Sequence, residues 1–175
     1  GSHLVDSLLE DDWRVTVIDR FMERYRTPLP RVDYILGELG NKGLLQSILP
    51  DTDVVFHLAS TTTPQSSNEA PEFDIQSNLI DTIGLLDVCV QSRVKKVVFF
   101  SSGGTVYGIP NSAPVTEDHP TNTISSYGIV KLAIEKYLHL YQHLQGLSFT
   151  ILRTSHPFGK RQHQIGLQAA ITVFL

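Results

Sequence analysis

Short apolar runs and longer helical patterns alternate along this chain, and this alternation constrains its fold more than any other feature. Runs rich in Val, Ile and Phe predict β-strands at Trp13–Asp19, Asp33–Leu36, Asp53–Ala59, Lys96–Ser101 and Ser148–Arg153. Apolar residues at helical spacing predict helices at Ser2–Glu10, Asn41–Leu49, Phe73–Ser92 and Ser126–Gln145. Strands that alternate with helices predict an α/β fold with a doubly wound parallel sheet and right-handed crossovers.

The size and composition of the chain favour one globular domain. Its 175 residues are enough for a single core, so residues 1–175 are expected to form one domain. Hydrophobic residues make up 41% and charged residues 18%, which is typical of folded globular proteins. The net charge of -4 and the lack of a long Lys/Arg run argue against a nucleic-acid partner.

Neither the membrane nor an oxidising compartment is indicated by the sequence. The chain has no apolar run of about 18 residues and no secretion-signal pattern at its start, so we expect no membrane insertion. Cys89 is the single cysteine and lies in an apolar helical pattern. It is interpreted as a buried core thiol, with a reactive thiol as the alternative, and a reducing cytoplasm is expected.

Asp19 is the first candidate for a cofactor contact, because in a doubly wound sheet ligands lie beyond the carboxyl ends of the strands. An acid at the end of VTVID would hydrogen-bond the ribose hydroxyls of a dinucleotide and repel a 2'-phosphate, which favours NAD over NADP. The alternative is that Asp19 only ends a strand. The neighbouring Arg20 is compatible with a phosphate and weakens the preference for NAD.

The glycine-rich turn that usually precedes such an acid is not found before Asp19. Gly1 stands directly before the first helical pattern, so it is either the last glycine of that turn or, with Ser2 and His3, an expression remnant. In both cases we expect a Rossmann-like sheet without its usual first strand. Such a sheet would expose unpaired strand edges.

Tyr127 and Lys131 form a Y-x-x-x-K pair at the start of a predicted helix. Residues four apart share a helical face, so the phenol and the ammonium are expected to point to the same place. The ammonium would favour the phenolate and lower the pKa of the tyrosine, as a general base acting on an alcohol requires. Tyr/Lys pairs at this spacing also occur by chance.

Several hydroxyl groups follow the strand that ends at Ser101. Ser102 and Thr105 lie in the segment SSGGTVYG, where they would meet the phenol and the ammonium at the carboxyl edge of the sheet. The alternative interpretation is an ordinary Ser/Gly turn.

Four ordered segments carry a family resemblance: DVVFHLAS, FFSSGGTVYG, SYGIVKL and LRTSHPFGKRQ. The chain resembles the extended short-chain dehydrogenase/reductases, in particular the NAD-dependent epimerase/dehydratase family and its UDP-glucose 4-epimerase subgroup. The resemblance implies Tyr127 as the base for the sugar 4-hydroxyl and Lys131 as the residue that holds the nicotinamide ribose and tunes the tyrosine. It also implies that hydride passes transiently from C4 to NAD and returns to the opposite face of the sugar.

The same resemblance implies further cofactor contacts. Leu58, Ala59 and Ser60 would line the cofactor, and Asn78 would hold the loop beside it. Ser101 would lie near the nicotinamide ribose. Glu38, in the GEL segment, would approach the adenine.

Three departures from the family pattern limit what it implies. Gly103 occupies the position of the usual catalytic Ser or Thr, so Ser102 or, by preference, Thr105 would have to supply the hydroxyl and touch substrate. His156 stands where an asparagine usually faces substrate, and it is either a substrate contact or a hydrogen-bonded loop residue. The smaller C-terminal substrate lobe of the family is not expected within residues 1–175, so the sugar cannot be identified.

Alternative functions and an assembly state follow from these observations. A nucleotide-sugar 4,6-dehydratase is the closer alternative function, and a non-catalytic NAD-binding module is the second. No metal ion is expected in the site. A UDP-sugar is the favoured substrate. In the family two helices of each subunit commonly pair as a four-helix bundle, so a homodimer is expected. Its surface would use Leu85, Leu86, Val88, Ile134, Leu138 and Tyr141, unless these residues face the sheet.

Overall fold

Strands and helices alternate in the computed structural model of the chain, which describes residues 1–155 and 157–161. The strands are β1 (Val15–Asp19), β2 (Val32–Leu36), β3 (Val54–His57), β4 (Lys96–Ser102) and β5 (Ser148–Thr154). The α-helices are α1 (Ser2–Glu10), α2 (Lys42–Ile48), α3 (Pro64–Glu69), α4 (Pro71–Asp74), α5 (Asp81–Gln91) and α6 (Ser126–Gln145). A 3-10 turn (Leu49–Asp51) follows α2, and a π-helix (Ile75–Ile80) joins α4 to α5. The predicted α/β class is confirmed.

The strands form two parallel groups, β2 beside β1 and β3-β4-β5. Val15 pairs with Val32 in the first group, and Ser102 pairs with Thr154 at the end of the second. Within the described residues β1 is not hydrogen-bonded to β3. In the complete doubly wound fold, the first strand lies between the second and the fourth. Strands β1 and β3 of this chain correspond to that second and that fourth strand. The interruption between β1 and β3 falls at that place, which confirms the prediction of a Rossmann-like sheet without its first strand.

Helices α5 and α6 cover the three-stranded group and supply most of the core. Leu86, Val97, Phe99 and Ile134 are at most 2% exposed. Burying a side chain of this kind contributes about 1.5–3 kcal/mol. Ile18 of β1 packs against the same cluster, whereas Val5, Val15 and Val32 form a second, smaller cluster between α1, β1 and β2.

The apolar residues assigned to a dimer surface are in this core instead. Five of them are buried within the single chain: Leu85, Leu86, Val88, Ile134 and Leu138. Tyr141 is half-buried and donates a hydrogen bond to Asp87 at 2.5 Å. For the five buried residues the prediction of a subunit surface is therefore wrong, and the alternative that they face the sheet is confirmed. The reason is that the sheet needs a covering layer, which takes the most apolar face of each helix.

Several predicted boundaries differ from the structure. Strand β1 begins at Val15 and not at Trp13, because the Trp13 N–H donates to Leu8 at the end of α1 (2.9 Å). The predicted helix Phe73–Ser92 starts earlier, at Pro71, and contains the π-helix. Helix α3 lies between β3 and α4, where no helix was predicted from the sequence.

Cys89 is fully buried, and burial raises the pKa of its thiol to about 12. The interpretation as a core thiol is confirmed. Within residues 1–155 and 157–161, no helix is both long enough and apolar enough to cross a bilayer.

Candidate active site

Helix α6 begins at the edge of the sheet with its first N–H groups capped by other segments. The Ser125 hydroxyl accepts from the N–H of Gly128 (3.2 Å), which is an ordinary N-cap. The Ser67 hydroxyl accepts from the N–H of Tyr127 (3.0 Å), and the Asn68 side-chain oxygen accepts from that of Ser126 (2.9 Å). Since Ser67 and Asn68 belong to α3, this helix fixes the start of α6.

Tyr127 and Lys131 point to the same place, as their spacing predicted. The Lys131 Nζ atom lies 5.5 Å from the centroid of the Tyr127 ring and 4.8 Å from that of Phe99. It donates to the carbonyl of Phe100 at 2.9 Å. The ammonium is thus anchored to β4, and the phenol stands one helical turn before it.

Burial dominates the protonation of both groups. It lowers the pKa of Lys131 to about 8, although the nearby Asp74 carboxylate acts in the opposite direction. Burial also raises the pKa of Tyr127, a hydrogen bond with Ser60 lowers it in part, and Asp74 raises it further. The prediction that Lys131 lowers the pKa of Tyr127 below its ordinary value is wrong here, because removal of the phenol from water outweighs the favourable interactions.

The hydroxyl of Ser101 forms a hydrogen bond within the protein. It donates to the Glu135 carboxylate at 2.5 Å, and Glu135 also pairs with Arg153 (2.7 Å). This pairing raises the pKa of Arg153. Arg153 also donates to the Tyr107 hydroxyl (3.0 Å), so the ion pair links α6, β5 and the segment that follows β4.

Gly103 has no room for a side chain. A Cβ atom at this position would lie 2.7 Å from the carbonyl oxygen of Arg153. The Gly103 N–H donates to the carbonyl of Thr154 at 2.8 Å, which holds the two backbones together. The close approach of β5 therefore explains why the usual hydroxyl-bearing residue is missing here.

The structure distinguishes the two candidate replacements for the missing hydroxyl. Ser102 is half-buried at the end of β4, where its carbonyl accepts from the N–H groups of Thr105 (3.3 Å) and Val106 (3.1 Å). The Thr105 hydroxyl is buried and has no hydrogen-bond partner among the described residues. The backbone of Thr105 also lies against α6, with its carbonyl oxygen 3.0 Å from where a Cβ of Gly128 would stand. A buried hydroxyl without a hydrogen-bond partner costs free energy, which sets Thr105 apart from Ser102.

The segment after β3 is held by Asn78. Leu58 is half-buried, and Ala59 and Ser60 are exposed at the carboxyl end of the strand. The Asn78 side-chain oxygen accepts from the N–H of Thr61 (3.0 Å), and its amide donates to the Thr61 hydroxyl (2.9 Å).

The remaining cofactor candidates lie on or beside the other group of strands, β1 and β2. Asp19 ends β1, is exposed, and accepts from the N–H of Phe21 at 3.0 Å. Glu38 is exposed after β2. Gly1 precedes α1, and its carbonyl accepts from Val5 (3.1 Å). The structure does not bring these residues into contact with Tyr127. His156 lies outside the described residues.

Sequence reasoning missed the polar residues that support Tyr127. Ser67 and Asn68 belong to α3, whose start has a recognisable pattern in the N-cap Thr63 followed by Pro64. Asp74 precedes Asn78 by four residues and so shares its helical face. No sequence pattern indicated the role of Glu135, because its partner Arg153 lies on a strand that is distant in the sequence. In residues 1–155 and 157–161, no group of three or more His, Cys, Asp or Glu is arranged to hold a metal ion.

Comparison with known proteins identifies the family. Residues 1–174 match the model of the NAD dependent epimerase/dehydratase family. A UDP-glucose 4-epimerase of Mycolicibacterium smegmatis is 32% identical over 183 residues, which span 99% of this chain and 58% of that protein. The chain thus spans little more than half the length of this relative.

Solved structures agree in fold over the same extent. The UDP-glucose 4-epimerase of Thermotoga maritima, solved with UDP-glucose, superposes with a TM-score of 0.92 at 30% identity, over 99% of this chain and 58% of that one. A double mutant of a dTDP-glucose 4,6-dehydratase from Streptomyces venezuelae, solved with NAD, gives 0.83 at 27% identity, over 99% and 57%. This chain belongs to the NAD dependent epimerase/dehydratase family.

Proposed function

We propose that the protein containing this chain is an NAD-dependent nucleotide-sugar epimerase of the UDP-glucose 4-epimerase type. The observation that carries the proposal is the placement of Tyr127 and Lys131 on one face of α6, with the ammonium anchored to β4 at 2.9 Å. The UDP-glucose 4-epimerases to which the chain is similar support a UDP-sugar as substrate. In this role Tyr127 takes a proton from the 4-hydroxyl of the sugar and later returns it.

The surroundings of Tyr127 suit a group that both takes and gives a proton. Burial keeps the phenol protonated, whereas the Ser60 hydroxyl stabilises the phenolate. The pKa of Lys131 is about 8, so its ammonium keeps its charge at neutral pH, with Nζ 5.5 Å from the centroid of the Tyr127 ring. A general base is most efficient when its pKa lies near the working pH, so in the working site the favourable interactions of the phenolate must offset the burial that raises the pKa of Tyr127.

The described residues fit NAD. The exposed carboxylate of Asp19 is available to ribose hydroxyls at the end of β1, and Ala59 and Ser60 offer an open edge after β3. NAD, when bound, supplies the hydride acceptor for transient oxidation at C4. Leu58 and Glu38 complete the proposed lining, and Lys131 would hold the nicotinamide ribose.

Thr105 is the proposed replacement for the hydroxyl missing at Gly103. Its buried hydroxyl is unpaired among the described residues, whereas a side chain at Gly103 would collide with β5. A hydroxyl in this place can donate to the oxygen on C4 as negative charge develops there. Ser102 is the second candidate.

The test uses the whole protein, including any residues that flank this chain. UDP-galactose is supplied with NAD, and formation of UDP-glucose is measured. We expect Tyr127→Phe to lower turnover by roughly 10² to 10⁴, the size of a general acid-base contribution. Tyr137→Phe is the matched control, because it removes a hydroxyl from the same helix. If Tyr127→Phe keeps the rate of the Tyr137→Phe control, Tyr127 has no part in the reaction.

Two other functions are distinguished by the same assay. The similarity to a dTDP-glucose 4,6-dehydratase favours that reaction as the second candidate. It would form a 4-keto-6-deoxy sugar and no epimer. Gly103 motivates the third candidate, a non-catalytic NAD-binding module, which would bind NAD and turn over neither sugar.

We also propose a homodimer, now with a different surface. The apolar side chains that α6 leaves exposed are Ile129, Leu140 and Leu144, and Ile80 is exposed at the end of the π-helix, directly before α5. These residues replace the buried set named from the sequence. Light scattering of the eluting protein measures the assembly, and a monomer would refute it. A cytoplasmic location stays a prediction that rests on the single buried thiol of Cys89.

A further inference from the structure

Asp74 is a fully buried carboxylate with three hydrogen bonds to its oxygens. Its relative exposure is 0%. Oδ1 accepts from the Thr62 hydroxyl (2.7 Å) and the Asn78 amide (2.9 Å), and Oδ2 accepts from the Ser126 hydroxyl (2.7 Å). A carboxylate is tolerated in a protein interior only with partners of this kind.

The three partners come from three different segments of the candidate site. Thr62 lies in the loop after β3, where the cofactor is proposed to bind. Asn78 belongs to the π-helix, a rare element that is often found at functional sites. Ser126 is the first residue of α6 and directly precedes Tyr127. One carboxylate therefore joins the loop after β3 to the residue next to the phenol.

The charge of Asp74 acts on the site as well. It raises the pKa of Lys131 and that of Tyr127, in each case as a smaller effect beside burial. Besides Tyr127 and Asp74, Lys131 acts on His57 of β3, whose pKa burial and the Lys131 charge lower to about 3. Because His57 is then neutral at ordinary pH, Asp74 supplies the negative charge that opposes the loss of the Lys131 proton.

We propose that Asp74 is a positioning residue for Tyr127, which aligns the start of α6 with the cofactor loop through Ser126 on one side and Thr62 and Asn78 on the other. The proposal rests on the proposed function of Tyr127 as the proton-transferring group. Asp74 itself touches neither Tyr127 nor the reacting atoms. It acts through the residues that it binds.

The first experiment compares Asp74→Asn with Ser126→Ala in the whole protein, with NAD and UDP-galactose. Asp74→Asn removes the charge and disturbs all three hydrogen bonds, so we expect kcat to fall roughly 10- to 100-fold, the cost of a small misplacement, with little change in KM. Ser126→Ala removes one hydrogen bond and keeps the charge, so kcat falls less. Ser126→Thr, which restores a hydroxyl, should recover most of the loss.

The pH dependence of kcat distinguishes a positioning role that includes the charge of Asp74 from a merely structural role. Asp74 raises the pKa of Tyr127, so its neutralisation lowers that pKa and moves the rising limb of kcat to lower pH. Ser126→Ala should leave the limb in place. A folded Asp74→Asn variant with the wild-type kcat and profile would overturn the proposal.

Two further measurements keep the outcome decisive. If Asp74→Asn does not fold, Ser126→Ala carries the test, and an unchanged kcat there overturns the proposal. If the wild-type protein shows no epimerase activity, the proposed function fails, but the ionisation of Tyr127 is still measurable by ultraviolet difference titration against Tyr127→Phe. A lower pKa in Asp74→Asn than in the wild-type protein then supports the coupling, and an equal one refutes it.

Discussion

Restoring the serine that the family usually carries at position 103 should destabilise this protein. In Gly103→Ser the new Cβ would lie 2.7 Å from the Arg153 carbonyl oxygen, closer than real Cβ contacts come. That oxygen belongs to the backbone of β5, so it cannot rotate away. Either the strand end shifts or the 2.8 Å hydrogen bond from Gly103 to Thr154 is lost. Overpacking of this kind costs about 1–3 kcal/mol.

The adjacent glycine provides a control for this prediction. A Cβ on Gly104 would meet nothing within 4 Å, so Gly104→Ser should change the free energy of unfolding by less than about 0.5 kcal/mol. Thermal unfolding of the two variants of the whole protein is then compared. A cost of about 1–3 kcal/mol corresponds to a Tm lower by roughly 2 to 12 °C in a domain of this size. Equal Tm values for the two variants would refute the steric explanation for Gly103.

Three further predictions concern single side chains. Thr105→Val should lower kcat about 10²-fold, because the C4 oxygen loses a hydrogen-bond donor, and Ser102→Ala should lower kcat less. Steady-state kinetics measures both values, and a larger loss in Ser102→Ala would assign the role to Ser102. Cys89 should not react with a thiol reagent at pH 8 until the protein unfolds, since its pKa is about 12, and rapid labelling of the folded protein would contradict its burial. The pKa of Lys131 is about 8 in the folded protein, against an ordinary value of 10.5. Between pH 8 and pH 10.5 the unfolded state therefore binds more protons than the folded state, so the free energy of unfolding should rise with pH in this range. Denaturant unfolding should show this rise in the wild-type protein and lose it in Lys131→Met; equal slopes would contradict the shift.

Local sequence patterns predicted correctly the helices whose ends are set by capping residues. The bounds of α6 were predicted without error because Ser125 caps its first turn and Gly146, at a φ of 71°, ends it in the left-handed conformation. Helix α1 was also placed correctly. The strand predicted from Trp13 was too long at its start, because the backbone N–H of Trp13 is hydrogen-bonded to a neighbouring helix. Such pairings are not visible in a window of sequence.

Proximity of site residues was predictable from the sequence, whereas burial was not. The four-residue spacing of Tyr127 and Lys131 placed the phenol and the ammonium together. The same spacing could not show that β4 and the core would remove both groups from water, so the direction of the pKa of Tyr127 was wrong. For the same reason the apolar residues of α5 and α6 were assigned to a subunit surface, although the sheet of the same chain covers them.

The polar face of α6 explains how a single helix can hold the phenol in one place. Tyr127, Lys131 and Glu135 follow one another at four-residue intervals. Lys131 donates to the carbonyl of Phe100, and Glu135 pairs with Arg153, so both buried charges are bound to strands. Rotation or sliding of α6 would break both contacts, and an unpaired buried charge costs about 3–5 kcal/mol. The helix is therefore locked in register with β4 and β5, and Tyr127 is fixed at their carboxyl edge by residues that need not touch the substrate.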